Sequence, residues 1–364
     1  MATISPHPAT TPGVLRIRVS TSYNTNSVEL SIVLPARNEE QTLAACLASL
    51  AAQSEPGFEL GREWEIVVVN DDSADRTREI AAEIAASHAG VTLIDAPPLD
   101  GQLNGKNNAC WAGAQTSRGR WLLFTDADTI HEPGDLRRAL SEAEQHQVAM
   151  LSYSPRQTVT GFWQRAVMPL IFAELTAVYP PALVSDPKSS VAAANGQFLM
   201  VERDAYFAIG GHRAQGTNVL EDVALARAIK HSRPIRFRYA PDALATRMYR
   251  STSAMIEGWT KNLALLMPRP VWLAAWRALE FALFFALPLL VIFEPRFALW
   301  LLLPWALLLW HFYARVAKSG FPAIDIAISI LGAPLFVSMM IRSAIAHRLR
   351  RSVTWKGRSY PAGR

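Results

Sequence analysis

Two cysteines, Cys46 and Cys110, are all that 364 residues provide. That excludes a disulfide scaffold and any Cys-based zinc cluster, and it predicts reduced, structural thiols in a protein facing the cytosol. Charge is also scarce: 18% of residues are Asp, Glu, Lys or Arg, against 50% hydrophobic. A disordered or fibrous chain is thereby excluded. The mean hydropathy of +0.11 is high for a wholly soluble protein, so a membrane-embedded part is expected. No apolar core of signal-peptide length opens the chain. Residues 1–27, rich in Ser, Thr, Pro and Asn, read as a flexible N-terminal tail.

Acidic residues almost vanish toward the end. Residues 259–364 hold 13 Lys and Arg but 3 Asp and Glu, a net of +10, whereas residues 1–258 carry a net of −5. Seven of the eleven tryptophans fall in that second part. Apolar runs flanked by Lys and Arg, with Trp at their edges, suit a membrane interface. A nucleic-acid partner would need those charges on a polar domain, so no nucleic acid is expected.

The 18 positions from 297 to 314 contain no Asp, Glu, Lys or Arg. As a helix they would measure about 27 Å, close to a bilayer core. Further apolar stretches occupy about 273–293 and 321–341, and we place the membrane segments within 263–346 (about 273–293, 297–316 and 321–341). Residues 161–183 are too mixed to span and suit an interfacial amphipathic helix. A short loop, Glu294-Pro295-Arg296, makes the first two spans a hairpin and returns Arg315 and Lys318 to the cytosol. A third span would put the basic C-terminal tail, 347–364, outside. A re-entrant or interfacial third segment bent at Pro334 keeps that tail cytosolic and is the preferred expectation.

Between these ends, residues 28–262 alternate short apolar runs with helical patterns. Strands are predicted at Leu30–Leu34, Glu65–Val69, Val91–Ile94 and Trp121–Phe124. Helices are predicted from an Asn38 cap to about Gln53, with Gln41 completing a capping box, and over about Asp75–Ser87 and Lys106–Ser117. Pro133 is expected to open another at a first-turn position. Runs rich in Val, Ile and Leu mean strands covered on both faces, hence a doubly wound, mostly parallel α/β sheet. Ligands bind such sheets beyond the carboxyl ends of the strands. Three polar clusters lie there: Pro35-Ala36-Arg37-Asn38-Glu39, Asn70-Asp71-Asp72-Ser73 and Asp126-Ala127-Asp128.

Asp126 and Asp128 are the sharpest pair. Two carboxylates flanking one residue at a strand end can chelate Mg²⁺ or Mn²⁺ together with phosphate oxygens. The plainer alternative is a solvated turn. Asp71 could accept from a base or ribose hydroxyl, or cap the next helix, a task open to Asp72, Ser73 and Asp75 as well. Lys106 could meet a phosphate as a point charge or sit in solvent at a helix start. A Walker loop is absent: three residues separate Gly101 from Gly105, and Asn107 replaces the Ser or Thr. Glu221-Asp222 could supply a general base or simply favour a helix N-terminus. His212 has no HxxxH partner and reads as structural.

Taken in order, Pro35-Ala36-Arg37-Asn38-Glu39, Asn70-Asp71-Asp72-Ser73, Gly105-Lys106, Asp126-x-Asp128 and Glu221-Asp222 resemble the family 2 glycosyltransferases with a GT-A fold. The hydrophobic C-terminal segments and the ending Thr354-Trp355-Lys356-Gly357-Arg358-Ser359-Tyr360 look like the membrane-attached members associated with hopanoid and carotenoid glycolipids. The resemblance implies inverting transfer from a nucleotide-diphosphate sugar donor to a membrane lipid acceptor, a terpenoid among the candidates, by a multi-pass protein of the inner (cytoplasmic) membrane with a cytosolic catalytic domain. Pro35, Arg37, Glu39, Asp71, Lys106 and Asp126 would bind the donor. Asp126 and Asp128 would hold Mg²⁺ or Mn²⁺. Asp222 would be the base, supported by Glu221. Asn195, Gly196, Gln197 and Trp259 would line the acceptor side. Where processive members carry Q-x-x-R-W, this chain reads Ile256-Glu257-Gly258-Trp259-Thr260-Lys261-Asn262. That disfavours polymer synthesis. The alternatives are a polysaccharide or polyprenyl-phosphate glycosyltransferase, and a non-catalytic membrane protein that binds nucleotide-sugars.

Overall fold

The computed structural model describes residues 28–350, 352–355 and 358–361. The tail expected over 1–27 lies outside the described residues, as do residues 351, 356–357 and 362–364 of the tail expected over 347–364. Strand and helix alternate through β1 (Leu30–Ala36), α1 (Leu43–Ala51), β2 (Trp64–Asn70), α2 (Thr77–Ser87), β3 (Val91–Asp95), α3 (Gly105–Thr116) and β4 (Trp121–Phe124). There follow β5 (Thr129–His131), α4 (Asp135–Gln145), β6 (Met150–Ser154), β7 (Arg156–Gln157), α5 (Phe162–Val178) and α6 (Pro181–Ser185). Then come β8 (Leu199–Glu202), α7 (Arg203–Ala208), α8 (Gly211–Gln215), α9 (Glu221–Lys230), β9 (Ile235–Tyr239) and β10 (Leu244–Thr246). The last part is helical: α10 (Thr252–Leu266), α11 (Pro270–Phe293), α12 (Ala298–Val316) and α13 (Ala323–Ile345), before a hairpin of β11 (Ser352–Trp355) and β12 (Arg358–Pro361).

The main sheet has seven strands in the order β3-β2-β1-β4-β8-β6-β9. All neighbours pair in parallel except β8, which opposes both β4 and β6. The mostly parallel α/β sheet expected from the apolar runs is therefore present. Alternate residues feed two cores: Ile32, Ile66 and Leu123 on one face, Val33, Val67 and Leu122 on the other. α3 sits tight on the second face, since a Cβ at Gly113 would come within 2.4 Å of Val33. The chain winds from β1 outward to β3, then returns to β4 on the other side of β1. That reversal opens a crevice beyond the carboxyl ends of β1 and β4. A second sheet, β5-β10-β7, flanks it.

Two local expectations are corrected. Asn38 does not cap α1, which begins at Leu43. Asn38 has a left-handed φ of 53°, and its side chain accepts from the Ala74 N–H at 2.9 Å. The N–H groups of Asn38, Glu39 and Glu40 donate to Ser73, Thr77 and Asp75 of the neighbouring loop. Satisfied from outside, residues 37–42 need not be helical and form a wall of the crevice. Gln41 meets Arg250 instead of completing a capping box. Helix α4 starts at Asp135, because Gly134 before it takes a left-handed φ of 77° and separates Pro133 from the first turn.

The stretch 161–183 is likewise not a one-faced surface helix. α5 is buried continuously from Ala166 to Glu174, the signature of a helix covered all round. It packs with α10, α11, α12 and α13 in a third core holding Met168, Phe172, Phe284, Phe312 and Phe336. A Cβ at Gly332 of α13 would lie 2.3 Å from the Ala166 carbonyl oxygen, so the two backbones nearly touch there. At one end of this contact Arg165 Nε donates to Asp325 Oδ1 at 2.6 Å.

Among the described residues, three helices are long and apolar enough to cross a membrane, over Pro270–Phe293, Pro295–Ser319 and Ala323–Arg348. α11 and α12 expose most of their apolar surface, including Trp300 at 78% and Leu299 at 75%. α13 continues as one helix through Pro334. Both its ends touch the preceding part: Asp325 meets α5, while Ser343 and His347 bond the backbone of α10 at Ala264 and Lys261.

Candidate active site

A cleft of about 760 Å³ occupies the crevice. Its walls bring together Pro35, Arg37, Glu39, Asp71, Lys106, Asp126, Asp128, Asn195, Gly196, Gln197, Glu221 and Asp222, all singled out from the sequence. Each owes its place to a strand end or a helix start. The Arg37 guanidinium, just past β1, donates to the carbonyls of Asp71 and Asp72 at 2.7 and 2.9 Å, which clamps the ends of β1 and β2 together. Asp71 is 6% exposed. The capping task falls to Asp75, whose carboxylate accepts from the Thr77 N–H at 3.0 Å, so Asp71 is not needed for it.

Lys106 lies in the first turn of α3, where the Asn104 side chain caps the helix by accepting from the Asn107 N–H. Its Nζ is 2.9 Å from Asp126 Oδ1 and 3.1 Å from Glu221 Oε1. Burial alone would lower this ammonium, yet Asp126 and Glu221 overcome that and hold it well above the ordinary lysine range. Lys106 thus ties the turn after β4 to the start of α9.

Asp222 is a strongly perturbed carboxyl of the cleft. Its Oδ2 accepts from the Gly196 N–H at 3.0 Å and its Oδ1 from its neighbour's N–H, that of Val223, at 2.7 Å. Burial, then the charge of Glu221, push it up to about 7, against the lowering by Lys106 and the two N–H donors. A carboxyl that titrates near neutrality can take up a proton and release it again at working pH.

Asp126 and Asp128 lie on the turn between β4 and β5. Among the described residues no group of three or more His, Cys, Asp and Glu side chains forms a ready metal cage. Two carboxylates facing a cleft fit Mg²⁺ or Mn²⁺ in the form where substrate phosphates complete the shell. His212 is packed, with its ring 4.6 Å from Phe124 and Nδ1 2.9 Å from the Tyr206 hydroxyl. Burial, then Lys106, push it down to about 3, so the ring is neutral. Burial likewise pushes the Cys46 thiol up to about 12, and both cysteines are free and buried.

Trp259 is a correction. It is 4% exposed, its indole N–H points at Met168 Sδ, and it packs against Phe172 and Tyr249 in the third core. The neighbours Gly258, Lys261 and Asn262 line the cleft in its place. The sequence reading also missed Arg247, Tyr249, Arg250 and Glu257 on the same wall. The one available signal was Glu257 and Lys261, four apart on a shared helix face.

Comparisons with known proteins agree with this geometry. The chain is 30% identical over 249 residues to the 4,4'-diaponeurosporenoate glycosyltransferase of Staphylococcus aureus strain MRSA252 and 29% identical to that of strain USA300, covering 67% of this chain. The chain spans 63% of the length of these relatives. The solved mannosyltransferase PcManGT from Pyrobaculum calidifontis, in complex with GDP-Man and Mn²⁺, aligns with a TM-score of 0.54 at 16% identity. The alignment covers 90% of this chain and 89% of that one, and it identifies the GT-A-like fold. Residues 31–207 match the family model described as Glycosyl transferase family 2, and this part of the chain belongs to that family.

Proposed function

We propose that this chain transfers a sugar from a nucleotide-diphosphate donor to a hydrophobic acceptor at the cytosolic face of the inner membrane, with inversion. The observation that carries the reading is Asp222, a carboxyl raised to about 7 and facing the same cleft as Asp126 and Asp128. Asp71 contacts the nucleoside. Asp126 and Asp128 would hold Mg²⁺ or Mn²⁺, which supplies charge neutralisation at the diphosphate. Asp222 takes the proton of the acceptor hydroxyl as its oxygen attacks the anomeric carbon. The bond to the diphosphate breaks on the opposite side, and its electron pair leaves with the nucleoside diphosphate. One displacement gives inversion. Lys106 and Glu221 keep Asp222 and the donor turn in register, and Asn195, Gly196 and Gln197 border the acceptor.

The acceptor class follows from the exposed apolar faces of α11 and α12 and from the carotenoid-related name of the relatives. We place α11 and α12 across the bilayer as a hairpin. α13, held at both ends by α5 and α10, lies along the catalytic part, so the C-terminus stays on the cytosolic side. Purified protein incubated with labelled nucleotide-sugars, Mn²⁺ and a lipid extract tests the activity. Labelled lipid is expected, whereas precipitable polymer or saturable binding without product overturns it. Thiol labelling of a Ser359→Cys variant in inverted membrane vesicles tests the topology, and protection there would overturn it.

A further inference from the structure

Beneath the cleft lies a buried polar network that the transfer step does not use. His131 and Asp135 are 4% and 0% exposed, with His131 Nδ1 2.7 Å from Asp135 Oδ2. The other ring nitrogen, Nε2, lies 3.2 Å from Thr125 Oγ1 and 3.3 Å from Thr129 Oγ1. Thr125 Oγ1 donates to the Gln197 carbonyl at 2.8 Å, and Thr129 Oγ1 donates to the Asp126 carbonyl at 2.8 Å. A threonine has one hydroxyl proton. Both protons are thus directed to carbonyls. The two hydroxyl oxygens lie 3.1 Å apart, and His131 Nε2 is within hydrogen-bond reach of each.

The two carbonyls belong to opposite sides of the cleft. Asp126 begins the turn that carries Asp126 and Asp128. Gln197 ends the turn whose Gly196 N–H holds Asp222. We infer that Thr125, Thr129 and His131 are positioning residues for the transfer reaction. One imidazole, oriented by Asp135, fixes the donor turn through Thr129 and the acceptor turn through Thr125. The inference rests on the proposed transfer activity. It goes further in dividing the labour: Thr129 governs binding of the metal and diphosphate, and Thr125 governs the placement of Asp222. Thr125, Thr129, His131 and Asp135 are all buried, so their geometry is set before any ligand arrives.

The isosteric changes Thr125→Val and Thr129→Val separate the two arms in the full-length protein. Calorimetric titration with UDP or GDP plus Mn²⁺ reads the donor side, and kcat reads transfer. Thr129→Val is expected to weaken Mn²⁺-dependent nucleotide binding by about fivefold to tenfold, the scale of one hydrogen bond. Thr125→Val is expected to leave that binding within about twofold and to lower kcat by about tenfold, with Thr125→Ser restoring it. Equal losses of binding and kcat in both variants, or no loss in either, would overturn the assignment. Should the wild type bind nucleotide and make no product, the transfer reading fails. The donor arm is then decided by Thr129→Val alone, and unchanged binding sinks it.

Discussion

The backbone N–H of Gly196 donates to Asp222 Oδ2 at 3.0 Å, so the acceptor turn touches the carboxyl assigned as base. This bond favours the ionised form. Burial and the adjacent Glu221 nevertheless raise Asp222 to about 7. Transfer needs Asp222 ionised in the free enzyme, so kcat/KM is expected to rise with pH through about 7 and then level off. Asp222→Asn should bind donor as the wild type does and lose transfer by about a hundredfold or more. Normal turnover in that variant would remove the base assignment.

The same carboxyl links pH to stability with a definite sign. Asp222 binds its proton more tightly when folded than when unfolded, so its contribution to stability falls as pH rises from about 4 to about 7. Asp222→Asn carries no such charge. The variant should therefore gain thermal stability over the wild type progressively across that window and hold the gain above it. A constant difference in melting temperature between pH 4 and pH 8 would count against a raised Asp222.

Lys106 sits between Asp126 and Glu221 and lowers Asp222 through space. Lys106→Met removes this cationic influence on Asp222, so the midpoint of the pH–rate profile should move to higher pH. An unchanged or lowered midpoint would show that Lys106 does not act on the base. The variant should also weaken nucleoside diphosphate binding, since Asp126 and Glu221 are left to repel the incoming anion.

Asp128→Ala addresses the metal. Removing one of two carboxylates on the turn after β4 should raise the Mn²⁺ concentration needed for nucleotide binding by about tenfold or more. A superimposable Mn²⁺ titration would remove Asp128 from the metal set.

Much of this cleft could be read before the fold was known, for a physical reason. Strands buried on both faces advertise themselves as Val67-Val68-Val69 or Leu122-Leu123-Phe124, and polar residues at their carboxyl ends are then at the crevice by topology. Asp71, Asp126 and Asp128 were placed on that argument alone. Asn38 misled because its capping pattern is local, whereas its hydrogen bond runs to Ala74 in another loop. Trp259 misled because an aromatic beside a site has the same sequence signature as one filling the core behind it. α5 misled because Arg165 and Glu174 look like a polar face, yet each is matched by a charge from a distant helix: Asp325 for Arg165, Arg277 and Arg315 for Glu174. Pairings over a hundred residues apart leave no periodicity to detect.

The Arg165–Asp325 pair gives the sharpest test of how α13 is held against the catalytic part. The two side chains are unequally buried, Asp325 at 4% and Arg165 at 40%. Arg165→Ala leaves a carboxylate stranded in the α5–α13 contact, a loss of about 3–5 kcal/mol by the usual cost of an unmatched buried charge. Asp325→Asn keeps an acceptor for the Arg165 N–H and leaves a guanidinium that can turn outward, so about 1 kcal/mol is expected. Thermal unfolding of the two variants in the same detergent should therefore rank Arg165→Ala well below Asp325→Asn. Equal losses would mean that Asp325 has other means of charge compensation, and that α13 is anchored chiefly by the close approach of Gly332 to Ala166.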